Sequence, residues 1–112
     1  MLDYSDIFEK LEAKVPDETE MPVLIELLEG DNIPFDVEPD IEFGSRPHVF
    51  YPGNTDFKCS VICHWGSYGH EDGLLEIMGL AENEDGIEGC LTAKEVFRRI
   101  KEDWQKCSGK RE

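Results

Sequence analysis

The sequence predicts an α+β fold in which two N-terminal helices and one C-terminal helix pack on a small antiparallel sheet of about three strands. Three observations carry that prediction. Apolar residues recur at helical spacing near the N-terminus, strand-like runs alternate with turn residues between positions 57 and 91, and helical periodicity returns behind a capping signature at Thr92.

The first helix is expected over residues 5–15. Ser5 suits the N-cap, Asp6 and Glu9 favour the positive end of the helix dipole, and Ile7, Phe8, Leu11 and Val15 form one apolar stripe that Pro16 ends. A second helix is expected over residues 20–28, with Pro22 in its first turn, Met21, Leu24, Ile25, Leu27 and Leu28 on its buried side, and Gly30 as its stop.

Residues 31–56 carry Pro34, Pro39, Pro47 and Pro52, so they are expected to be irregular. Within them Asp36, Glu38, Asp40 and Glu42 alternate with other residues. In an extended chain that spacing puts four carboxylates on one side, about 6.6 Å apart. Pro39 restricts such a segment to an edge strand or a polyproline-like stretch.

Residues 57–65 are rich in aromatic, β-branched and cysteine residues and predict a half-buried strand. A loop punctuated by Gly66, Gly69 and Gly73 leads to a return strand at 74–80, and a turn at 82–86 ending in Asp85-Gly86 leads to a short third strand at 87–91. The last helix is expected over residues 92–106. Thr92 and Glu95 make a capping box, Val96, Phe97, Ile100 and Trp104 repeat the apolar stripe, and Arg98, Arg99 and Lys101 are assigned to the solvent side. Residues 107–112 are expected to be a frayed tail of one domain spanning 1–112.

Composition narrows function. The chain has 112 residues, 26 acids, 11 bases and a formal net charge of −15. The charge is uneven: 14 acids and 2 bases in residues 1–45 give −12, 8 and 2 in residues 46–93 give −6, and 4 and 7 in residues 94–112 give +3. Such a surface repels nucleic acid and anionic membranes, which excludes direct partners of both kinds, and it suits docking onto a basic protein. Met1-Leu2-Asp3-Tyr4 leads into an amphipathic stretch unlike a secretory signal, and no apolar run approaches bilayer-spanning length. The expectation is therefore a cytoplasmic protein whose four cysteines, Cys59, Cys63, Cys90 and Cys107, are free thiols.

No motif predicts catalysis. The chain lacks a phosphate-binding loop and a nucleophile elbow. Cys59, Cys63, His64 and His70 supply zinc-ligand chemistry, but Cys59 and Cys63 point to one face of a strand and His64 to the other, and they read first as small buried hydrophobes. Cys90 with His64 or His70 is a conceivable nucleophile and base, with no cleft legible in the sequence. The carboxylates of residues 82–86 lack a calcium loop and read as a solvated turn. No cofactor or metal is expected. What remains is binding: the acidic row Asp36, Glu38, Asp40 and Glu42, and the aromatics Trp65 and Tyr68 beside the glycine-rich loop, which would make interface anchors if exposed.

Residues 60–70 (SVICHWGSYGH), 73–80 (GLLEIMGL) and 91–97 (LTAKEVF) resemble a group of small proteins encoded by phages and prophages of Gram-positive bacteria. The resemblance implies a bacterial host cell as habitat and carries no catalytic signature. By analogy with small acidic phage proteins, including anti-CRISPR and anti-restriction inhibitors, the expected function is to bind and inhibit a basic host protein such as a CRISPR or restriction nuclease. The alternatives are a phage accessory or structural assembly module and a small zinc-binding protein.

Overall fold

The computed structural model describes residues 18–41, 45–64 and 67–107. The helix expected over residues 5–15 lies outside the described residues, as do residues 108–112 of the expected tail at 107–112, whereas Cys107 continues the last helix by one residue. Within them the chain is α+β: helix α1 (Met21–Gly30), strands β1 (Asp36–Asp40), β2 (Arg46–Tyr51), β3 (Cys59–Ile62), β4 (Leu75–Met78) and β5 (Ile87–Leu91), then helix α2 (Ala93–Cys107). The five strands form one antiparallel sheet in chain order, β1-β2-β3-β4-β5.

The sheet therefore has two strands more than the sequence predicts. The stretch expected to be irregular supplies β1, as an edge strand, and all of β2. Prolines 47 and 52 hide β2 in the sequence, yet the register shows why they are tolerated. Pro39 faces Pro47 across the β1–β2 pair. Neither can donate a hydrogen bond, so this is the widely bonded position of the ladder, where both backbone nitrogens point away from the partner strand. On its other side Pro47 lies beyond the β2–β3 pairing, which runs from Val49↔Val61 to Tyr51↔Cys59. Pro52 follows the end of β2 through a cis bond after Tyr51.

Register also explains the core. Val37, Val49, Val61 and Ile77 are direct neighbours across four strands, and Tyr51↔Cys59 and Leu75↔Leu91 lie on the same face. Alternation along each strand directs these side chains to one side. Val49, Tyr51, Cys59, Val61, Leu75, Ile77 and Leu91 are buried there with Met21, Leu24 and Leu28 of α1 and Ala93, Val96 and Ile100 of α2. Leu75↔Leu91 and Ile77↔Glu88 set three steps of β5 against two of β4, a β-bulge with Cys90 at φ 59°.

The helices start as the sequence predicts. Pro22 sits in the first turn of α1. At α2 the Thr92 hydroxyl accepts from the Glu95 amide at 3.2 Å, and the Glu95 carboxylate accepts from the Thr92 amide at 3.0 Å. A third link joins the two helix starts, since the Ala93 amide donates to the Glu20 carboxylate at 2.8 Å.

Arg99 departs from its expected place on the solvent side of α2. Its side chain is only 6% exposed. The bulge in β5 leaves Glu88 on the helix-covered face, where both carboxylate oxygens accept from Arg99, at 2.5 and 2.9 Å, and Glu82 accepts at 3.0 Å. Arg98, one position away, is half exposed and pairs with Glu82 and Glu102, as a surface residue does.

Candidate functional site

The two sheet edges differ. At β5 the loop after β3 closes in: the Cys90 amide donates to the Tyr68 carbonyl at 3.1 Å. A Cβ on Gly89 would lie 2.1 Å from the Tyr68 Cβ, so only glycine admits that approach. At β1 no described strand pairs with the outer side. Because the Pro39↔Pro47 pair points its nitrogens outward, the free edge presents Val37 and Pro39 rather than Asp36, Glu38 and Asp40 to an incoming strand. Pro39 has no donor to offer, which blunts the edge against strand addition.

Asp36, Glu38 and Asp40 lie on one face of β1, opposite Phe50, His48 and Arg46 respectively. The structure brings these three together as the sequence predicts; Glu42 lies outside the described residues. Asp36 and Glu38 are exposed, and each also holds the β2–β3 loop. The Asn54 amide donates to Asp36 at 2.8 Å, and the Asn54 side-chain amide donates to Glu38. Asp40 is half-buried between two imidazoles, 3.1 Å from His48 Nδ1 and 3.4 Å from His64 Nε2. His48 stacks on Phe50 at 4.2 Å, and Phe50 meets Phe57 edge-on at 5.2 Å, so an aromatic cluster lies beside the acidic row on the same face. Nothing in the sequence singles out Asn54 or His48, and His64 is considered there only as a metal ligand or a base and not as a neighbour of Asp40, because a sequence does not announce which residues a loop folds back upon.

Tyr68 is 66% exposed and its amide donates to Glu76 at 2.8 Å, so the ring is open to solvent at the β5 end of the sheet. It lies at the opposite edge of the sheet from the acidic row, with β2, β3 and β4 between them. Trp65 lies outside the described residues. The two elements of the expected binding surface therefore do not form one continuous patch.

The zinc-ligand candidates Cys59, Cys63, His64 and His70 do not form one metal-binding group. Cys59 and Cys63 are buried members of the core, and burial pushes the Cys59 thiol up to about 12. Among the described residues there is no group of three or more His, Cys, Asp or Glu side chains able to hold a metal ion. Cys90 and His70 line one open cavity of about 370 Å³ with Tyr68, and the His70 Nδ1 lies 2.7 Å from the Ser67 carbonyl oxygen.

A second polar cluster ties the sheet to α2. The Tyr51 phenol, 1% exposed, donates to Asp103 at 2.6 Å, and the Lys58 ammonium donates to the same oxygen at 3.2 Å. Burial and the adjacent Asp103 carboxylate together push the Tyr51 phenol well above its ordinary range. Burial pushes the Asp103 carboxyl up, but the hydrogen bonds from Tyr51 and Lys58 outweigh it and hold the group below its usual value.

No described helix is long and apolar enough to cross a membrane. No family model matches the chain, and no curated protein or solved structure matches it either.

Proposed function

We propose that this chain is a small acidic interaction protein of phage or prophage origin. It binds a basic protein of its bacterial host, of the CRISPR or restriction nuclease class, and inhibits it without catalysis. The observation that carries the reading is the β1 edge: Asp36, Glu38 and Asp40 on one face, flanked on that face by His48, Phe50 and the Asn54 loop, at the edge that no described strand covers. A basic channel built for a phosphate backbone would meet carboxylates at regular spacing, held on a sheet instead of a flexible loop. Pro39 discourages strand addition at the same edge, so side-chain charge, and not backbone pairing, is the recognition element.

Affinity capture from a nuclease-treated lysate of a Gram-positive bacterium tests this reading. Capture of a basic nucleic-acid-binding protein at low salt, and its loss at high salt, is the expected result. Capture of phage structural proteins alone, or of further copies of this chain, overturns the inhibitor and promotes the assembly module.

A further inference from the structure

We infer that Lys58 and Cys107 form a reversible covalent bridge on oxidation, with one oxygen joining the lysine nitrogen to the cysteine sulfur. The Lys58 Nζ lies 2.7 Å from Cys107 Sγ. That is the short end of the range for nitrogen with oxygen, roughly 2.7–3.2 Å, although sulfur is the larger atom. The two groups are therefore closer than a relaxed ammonium–thiol contact, at a separation that one bridging atom fits.

The surroundings hold this pair together. Lys58 closes the β2–β3 loop through its amide, which donates to the Tyr51 carbonyl at 2.7 Å, and its side chain is steadied by Asp103. Asp103 also lies 3.7 Å from Cys107 Sγ, one turn away on α2. Both reacting groups are exposed, so a small oxidant in solvent reaches them. Cys59, next to Lys58 in the chain, is buried with its thiol pushed up to about 12, and so does not compete. The hydrogen bond to Cys107, with that to Asp103, holds Lys58 protonated in the reduced protein.

The chemistry balances with two equivalents of hydrogen peroxide. The first converts the Cys107 thiol to a sulfenic acid, with one water leaving and sulfur oxidised by two electrons. Lys58 then gives up its ammonium proton to water. The sulfenic O–H and one amine N–H are lost as the O–N bond forms, and the second peroxide takes those two hydrogens and becomes two waters. Two equivalents of a dithiol reverse the sequence, returning thiol, amine and one water.

The bridge would close a loop of 49 residues between the start of β3 and the end of α2. By analogy with a disulfide of that span, the thermal midpoint should rise by roughly 10 °C. The test treats the full chain with hydrogen peroxide, digests it and maps the peptides by mass spectrometry. The expected product joins Lys58 to Cys107, is heavier by one oxygen and lighter by two hydrogens than its parts, and disappears with dithiothreitol. It should be absent from Cys107→Ser and from Lys58→Arg, the latter keeping a cation beside Asp103. Cys107 recovered as sulfinic acid or as a disulfide, with Lys58 unmodified, overturns the inference. A bridge without the oxygen, or one that persists in Lys58→Arg, overturns it equally.

Discussion

Replacing Glu88 by glutamine keeps the shape of the side chain and removes the charge that holds Arg99. Both Glu88 oxygens accept from the buried guanidinium, and these hydrogen bonds pull the Glu88 carboxyl from 4.5 down to about 2. For a dry pair that shift would correspond to about 3 kcal/mol, at roughly 1.4 kcal/mol per unit. Solvent reaches Glu88, 24% exposed, and the second acid Glu82, 64% exposed, so screening reduces the figure to about 1–2 kcal/mol. A group with a depressed folded pKa contributes stability above its unfolded value near pH 4.3, and loses it as the pH falls towards about 2. Urea denaturation of both proteins at pH 7 should therefore show Glu88→Gln weaker by about 1–2 kcal/mol. At pH 3 that gap should shrink by about half, because the unfolded glutamate is by then protonated while the folded one is still largely ionised. A gap of the same size at both pH values would refute an ionic origin, and no gap at pH 7 would refute the contact.

Other outcomes follow from the same geometry. Tyr51→Phe strips the donor from a buried phenol–carboxylate bond of 2.6 Å and should cost about 1.5–3 kcal/mol in urea denaturation. Because the Tyr51 phenol is raised, its contribution is present below about pH 10 and falls as the pH climbs above it, so the variant should lack that alkaline loss. Gly89→Ala places a methyl 2.1 Å from the Tyr68 Cβ and should lift the Tyr68 loop from β5 at a cost of about 1–3 kcal/mol. Hydrogen exchange reads this directly, as lost protection at the Cys90 amide that donates to Tyr68.

What the sequence announced and what it hid divide along physical lines. Local signals survived: β5 occupies residues Ile87–Leu91 as the pattern predicts, and Thr92 with Glu95 caps α2 through side chains three residues apart. The acidic row on β1 was legible because alternation at period two is itself a geometric statement. Strand β2 was hidden by Pro47 and Pro52, which are harmless only because Pro47 meets Pro39 and overhangs the end of β3, a fact of register. Arg99 read as a surface cation because helical periodicity cannot foresee a bulge in β5 that turns Glu88 towards it. The roles of Asn54, His48 and His64 depend likewise on where the β2–β3 loop folds and on which residues Asp40 meets.

The most direct measurement is the association rate between the captured basic host protein and either the wild-type chain or the double variant Asp36→Lys, Glu38→Lys. Far-UV circular dichroism first checks that the variant keeps the fold. Both positions are exposed on β1, and reversing them replaces two negative charges by two positive ones at the open edge. The variant should associate at least about tenfold more slowly at low salt, with the difference narrowing as salt is raised. Equal rates at low salt would contradict the account and remove the β1 edge as the docking surface.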